Sequence, residues 1–124
     1  MGINAATALA DFLEQRAKAV HAIEAEAEAI IHGKGDQAGY VDKMREKATL
    51  LSELAEDAES LVQALPPALA KAASERLGRF SQSAATSLSV GSPFFMSALL
   101  YPDDHTPGQP NDLDRYVDEV RGWA

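Results

Sequence analysis

The chain contains no cysteine. Disulfide scaffolds, thiol nucleophiles and thiolate zinc sites are therefore excluded. Long apolar runs are missing too: nothing reaches the ~18 consecutive apolar residues of a membrane span. Bases are few, with 11 Lys and Arg against 19 Asp and Glu and a formal net charge of −8. Neutralising phosphates takes clustered Lys and Arg, so nucleic acid is not expected as a main partner. The N-terminus, Met1-Gly2-Ile3-Asn4, has neither a basic stretch nor an apolar segment. A secretory leader is not expected there, and a cytoplasmic setting is. Large apolar side chains are also scarce: 23 of the 57 apolar residues are alanine. Alanine buries little area, and at ~25 cal/mol per Å² the core is expected to be thin.

What remains reads as helix. From Asn4 to His32 the chain is rich in Ala, Glu and Leu and has no Gly or Pro. Steps of about 100° put Leu9, Phe12, Leu13, Val20, Ile23, Ala27, Ile30 and Ile31 on one stripe. Arg16 interrupts that stripe, its stem able to cover the seam while its head reaches water. Gly33-Lys34-Gly35 ends the helix and Asp36 caps the next. A second stripe runs without a breaker through Tyr40, Met44, Ala48, Leu51, Leu54, Ala55, Ala58, Leu61, Val62 and Leu65. So short a connection makes the two helices antiparallel neighbours. Pro66-Pro67 starts a third helix to about Ser89, with a sparser stripe (Leu69, Ala73, Leu77, Phe80, Ala84, Leu88) that weakens after Gln82. The expected fold is all-α: a long antiparallel hairpin, a third helix along it, and short C-terminal helices. Residues 1–90 read as the bundle core. Residues 91–124 read as a C-terminal interaction segment with a proline-rich linker, Pro102 to Pro110.

Several groups invite a functional reading. His21, Glu24, Glu28 and His32 share one helical face at spacings of three and four. Two imidazoles and two carboxylates are ligands for zinc or iron, yet they lie opposite the apolar stripe, where a solvated face is the simpler reading. Glu53, Glu56, Asp57 and Glu59 form an acidic patch, read as a solvated face or as a docking surface for a basic partner. His105, beside Asp103 and Asp104, has no nucleophile motif or phosphate loop with it. No catalytic residue, metal or cofactor is assigned, and the chain is not expected to be an enzyme.

The strongest cluster is apolar. Phe94, Phe95, Met96, Leu99 and Leu100 lie close together after a break at Gly91-Ser92-Pro93. Leu113, Tyr116, Val117, Val120 and Trp123 share one side of a final helix capped by Asn111. Both sets fit either the core or a surface that binds a partner's amphipathic helix. With so thin a core, a homodimer would also complete the bundle.

The central stretch resembles the FlgN-like flagellar export chaperones. The resemblance lies in Glu28, Ile30 and Ile31, the Gly35-Asp36 turn, Met44, Glu46-Lys47, Leu50-Leu51 and Leu54. It implies a small acidic cytosolic protein that binds C-terminal helical segments of hook–filament junction proteins and keeps them soluble until export. It further implies a substrate site in the C-terminal region, here Phe94–Leu100 and Leu113–Trp123.

Overall fold

The computed structural model describes residues 4–124. Met1 to Ile3, part of the stretch read for a leader, lie outside the described residues. Among the described residues there are helices and no strand. The first helix, α1 (Ala5–Lys34), begins where Asn4 Oδ1 accepts from the Ala6 and Thr7 amides at 2.9 and 3.3 Å. It ends at Gly35, whose φ of 64° is left-handed and suits glycine. There the Gly35 amide reaches Ile31 O and the Asp36 amide reaches Ile30 O, closing the last turn. Asp36 then caps α2 (Gln37–Ser52), its Oδ1 accepting from the Gly39 amide at 2.9 Å. The antiparallel hairpin follows from these two caps.

The second helix does not run unbroken to Leu65 as its stripe suggests. It gives way to α3 (Leu54–Asp57) and α4 (Glu59–Gln63), with interruptions at Glu53 and Ala58. The first interruption has a visible cause. Ser81 Oγ accepts from the Ala55 amide at 3.0 Å and donates to Leu51 O at 2.9 Å. The hydroxyl thus occupies the rung that would join Leu51 C=O to Ala55 N–H, and an inserted side chain bends a helix. The apolar stripe survives the bends, with Met44, Ala48, Leu51, Leu54, Ala58, Val62 and Leu65 all buried.

The third long helix, α5 (Pro67–Val90), keeps its form past Gln82, contrary to expectation. Ala84 and Ser87 are buried there, and Ser87 Oγ donates to Ala84 O at 2.7 Å. Turning a hydroxyl back onto its own helix lets a serine pack like a small apolar residue. The short α6 (Pro93–Ala98) and then α7 (Asp112–Arg121) complete the chain. Helix α2 packs against both α1 and α5, and α7 packs against α1. Two polar clips run between α7 and α1: His21 Nε2 lies 2.8 Å from Asp114 Oδ2, and Arg121 donates to Glu14 Oε1 at 2.8 Å. The α1 partner moves back from His21 to Glu14 as the α7 partner advances from Asp114 to Arg121, so α7 runs antiparallel to α1. The edge-on pair Phe80–Tyr116, with ring centroids 6.1 Å apart, joins α7 to α5.

No boundary falls at residue 90. Leu100, Leu113, Tyr116, Val117 and Val120 share one buried cluster with Leu9, Leu13, Leu51 and Leu77. The expected division into a core of 1–90 and a separate tail is corrected accordingly. Ala17 of α1 adjoins Val117 of α7, and Asp11, Glu14 and His21 on that side of α1 pair with Arg121 and Asp114. None of these helices is long and apolar enough to cross a membrane.

Candidate functional site

Helix α6 is built to hold some of its apolar groups in and others out. Gly91, at a left-handed φ of 72°, turns the chain out of α5. Ser92 Oγ then accepts from the Phe95 amide at 3.2 Å, and Pro93 sits in the first turn. Met96 is fully buried in a small cluster with Ala27, Met44 and Ala48. At 100° per residue, anchoring Met96 inward leaves the two preceding residues outside. Phe94 is 75% exposed and Phe95 50%, and Val90 at the end of α5 is 59% exposed. The two rings sit 6.0 Å apart, beside a shallow recess of about 280 Å³ lined by Ser83, Phe95, Leu99 and Asp112 among others.

The ten apolar residues singled out for a partner therefore divide. Met96, Leu100, Leu113, Tyr116, Val117 and Val120 are buried, and Leu99 and Trp123 are half-buried against the core. Within this fold the buried six are not available to a partner. The cause for α7 is a docking face on α1 that its own stripe covers. Phe94 and Phe95 alone of the ten are exposed.

Beneath α6 lies a polar cluster that the stripes did not reveal. Lys47 is fully buried. Its Nζ lies 2.9 Å from Glu24 Oε2, donates to Ser97 O at 3.1 Å, and stands 5.0 Å over the Tyr101 ring. Tyr101 OH donates to the other Glu24 oxygen at 2.7 Å. Burial pulls the Lys47 ammonium below the usual lysine range, against the opposing pull of Glu24. Burial, helped by the hydrogen bond to Glu24, pushes the Tyr101 phenol up to about 12. The cluster ties α1, α2, α6 and the following loop together, and so holds the two exposed rings in place. Lys47 was detectable as a lysine on the apolar stripe, three residues after Met44 and four before Leu51.

The His21, Glu24, Glu28 and His32 face does not converge on one point. His21 is drawn to Asp114 on α7, Glu24 to Lys47 and Tyr101, and His32 to Glu28 at 2.7 Å. Among the described residues no group of three or more His, Cys, Asp or Glu is arranged to hold a metal ion. Glu28 and His32 are a solvated pair, as the simpler reading had it; Glu24 is not, being drawn under the loop. The Arg16 guanidinium, rather than its stem, lies over the Phe12 ring at 4.7 Å, and it is 3.8 Å from Asp57. Glu53, Glu56, Asp57 and Glu59 are all exposed. The His105 ring nitrogen Nε2 lies 3.0 Å from Gln109 O, and its ring packs edge-on with that of Tyr101.

One further signal lay in the sequence. Between Arg79 and Asp103 there is no charged residue, a gap of 23 positions from Phe80 to Pro102 in a chain that is 24% charged. The two exposed rings lie inside that gap. Depletion of charge around aromatic groups is characteristic of the centre of a protein interface. The fold and this patch together describe an all-α helical bundle that presents two exposed aromatic rings on a segment without charged residues. No family model matches the chain, and neither a curated protein nor a solved structure does.

Proposed function

We propose that this chain is a non-enzymatic helical module that binds another protein. It holds an amphipathic helix of that partner against the Phe94–Phe95 face. Its specific role is that of a cytoplasmic export chaperone, as the resemblance to the FlgN-like family implies. The observation that supports the reading is the exposure of two adjacent phenylalanines on a helix whose own anchor, Met96, is buried. Rings left in water beside a satisfied core are favoured by a partner that removes them from it, and aromatic residues dominate such contacts.

The test is a fluorescence anisotropy titration with labelled synthetic peptides from the C-terminal helical segments of hook–filament junction proteins. The chain is expected to bind such a peptide. The double variant F94D/F95D is expected to lose that binding while its far-ultraviolet circular dichroism stays unchanged. If no peptide binds the unaltered chain, the chaperone reading is withdrawn. If the double variant unfolds, the two rings belong to the core.

A further inference from the structure

We propose that, when no partner is bound, the Phe94–Phe95 face is covered by a second copy of this chain. The two copies meet along the second half of α5 and along α6. The inference rests on the reading of this face as a binding surface and names the occupant it has by default.

Charge points to a second copy. The chain carries a formal −8, so two copies repel wherever their acidic surfaces meet. In a two-fold contact the same patch faces itself, and any charge it bears is set against its own image. The gap from Phe80 to Pro102 is therefore the stretch through which two copies approach without opposing like charges. Asp112, at the rim of the recess beside Phe95, lies at the edge of that face. A basic partner would be drawn elsewhere, to the exposed Glu53, Glu56, Asp57 and Glu59.

Shape agrees with charge. Ser83, Thr86 and Val90 are exposed on one side of α5, Ser83 lining the recess beside Phe95, and these uncharged side chains admit a second helix closely. Val90, Phe94 and Phe95 supply the apolar anchors at the end of that face. At 150–250 Å² for a buried phenylalanine, the two rings still have roughly 250 Å² per copy to remove from water. A specific interface needs about 1,000 Å² in total, so the rings supply its centre and the α5 face the remainder. The result is a small, reversible dimer.

Sedimentation velocity on the full chain, over about 1 μM to 1 mM, tests this directly. A concentration-dependent monomer–dimer equilibrium is expected. It should tighten as ionic strength rises from about 0.01 to 1 M, because salt screens the repulsion between two acidic copies. F94D/F95D should weaken it at least about tenfold. So should S83E, which places a carboxylate at an exposed helical position beside Phe95; circular dichroism checks that both variants stay folded. A monomer at every concentration overturns the proposal, as does a dimer that both variants leave intact or that salt dissolves. The peptide titration is read separately. A monomer that binds peptide sinks the dimer and spares the binding reading, and a dimer with no peptide affinity does the reverse.

Discussion

At the scale of single residues, the buried polar groups of this thin core do not have equal worth. Lys47 is wholly buried, whereas the Glu24 side chain keeps 18% of its surface. Removing one partner of a buried pair leaves the other uncompensated, at about 3–5 kcal/mol in deep sites. Glu24→Gln strands an ammonium with no exposure. Lys47→Met strands a carboxylate that still meets water and the Tyr101 hydroxyl. Urea denaturation is therefore expected to show the larger loss for Glu24→Gln, and a larger loss for Lys47→Met would contradict this assignment. Tyr116 presents the opposite case. It is 3% exposed and its hydroxyl has no hydrogen-bond partner among the described residues. A buried unpaired hydroxyl costs about 1–3 kcal/mol, so Tyr116→Phe is expected to raise stability by about 1 kcal/mol. Burial, and next the nearby Glu119, push the Tyr116 phenol up to about 12. The unfolded chain releases this proton near pH 10 while the folded chain retains it. The unfolded state then binds fewer protons, so stability falls as pH rises from 10 towards about 12. Tyr101 adds a loss of the same sign. The unfolding free energy of Tyr116→Phe should accordingly fall less over this range than that of the unaltered chain.

At the scale of elements, helix ends were legible in the sequence because their causes are local. Asn4, Asp36, Ser92 and Asn111 each cap within three residues of themselves. The break in the second helix was not legible, because its cause sits 26 and 30 positions away in Ser81. Its stripe is continuous, and periodicity reports which face is buried, not whether a distant hydroxyl enters the ladder. Ser81→Val replaces the hydroxyl with two methyl groups and leaves the Leu51 carbonyl and Ala55 amide facing them. It is expected to cost about 1–3 kcal/mol. Ser81→Ala is expected to cost less, since a smaller side chain lets those two backbone groups bond directly. Thermal unfolding of the pair decides it, and equal losses would mean that Ser81 contributes by packing alone. The C-terminal apolar groups were ambiguous for a different reason. Burial against α1 and burial against a partner demand the same stripe, so Tyr116 and Val120 carry one signal with two meanings. Phe94 and Phe95 were separable only through their neighbour, since it is the burial of Met96 that turns them outward.

At the scale of the whole molecule, the balance of charge outweighs the count of ion pairs. Most pairs are exposed: Lys18–Glu14 at 3.4 Å and Lys43–Glu26 at 3.3 Å join flexible side chains in water. Such contacts contribute about 0–1 kcal/mol each and weaken in salt. Against them stands the self-repulsion of a −8 chain, concentrated where Glu53, Glu56, Asp57 and Glu59 crowd the bent segment, with Arg16 3.8 Å from Asp57 and Lys71 sharing a recess with Glu56 and Glu59. Salt screens both effects, but repulsion among many like charges acts over longer distances than contact pairs and is screened more completely. The monomer is therefore expected to gain stability with salt. Between about 0.01 and 0.1 M ionic strength, where the Debye length shrinks from about 30 to 10 Å, its Tm should rise. A gain near 1 kcal/mol corresponds to roughly 4–8 °C for a domain of about this size. Circular dichroism melts of F94D/F95D, at low micromolar protein, read the effect without self-association. A Tm that falls steadily with salt would mean that the clips between α7 and α1, His21–Asp114 and Arg121–Glu14, outweigh the net charge, and that electrostatics hold this bundle together rather than strain it.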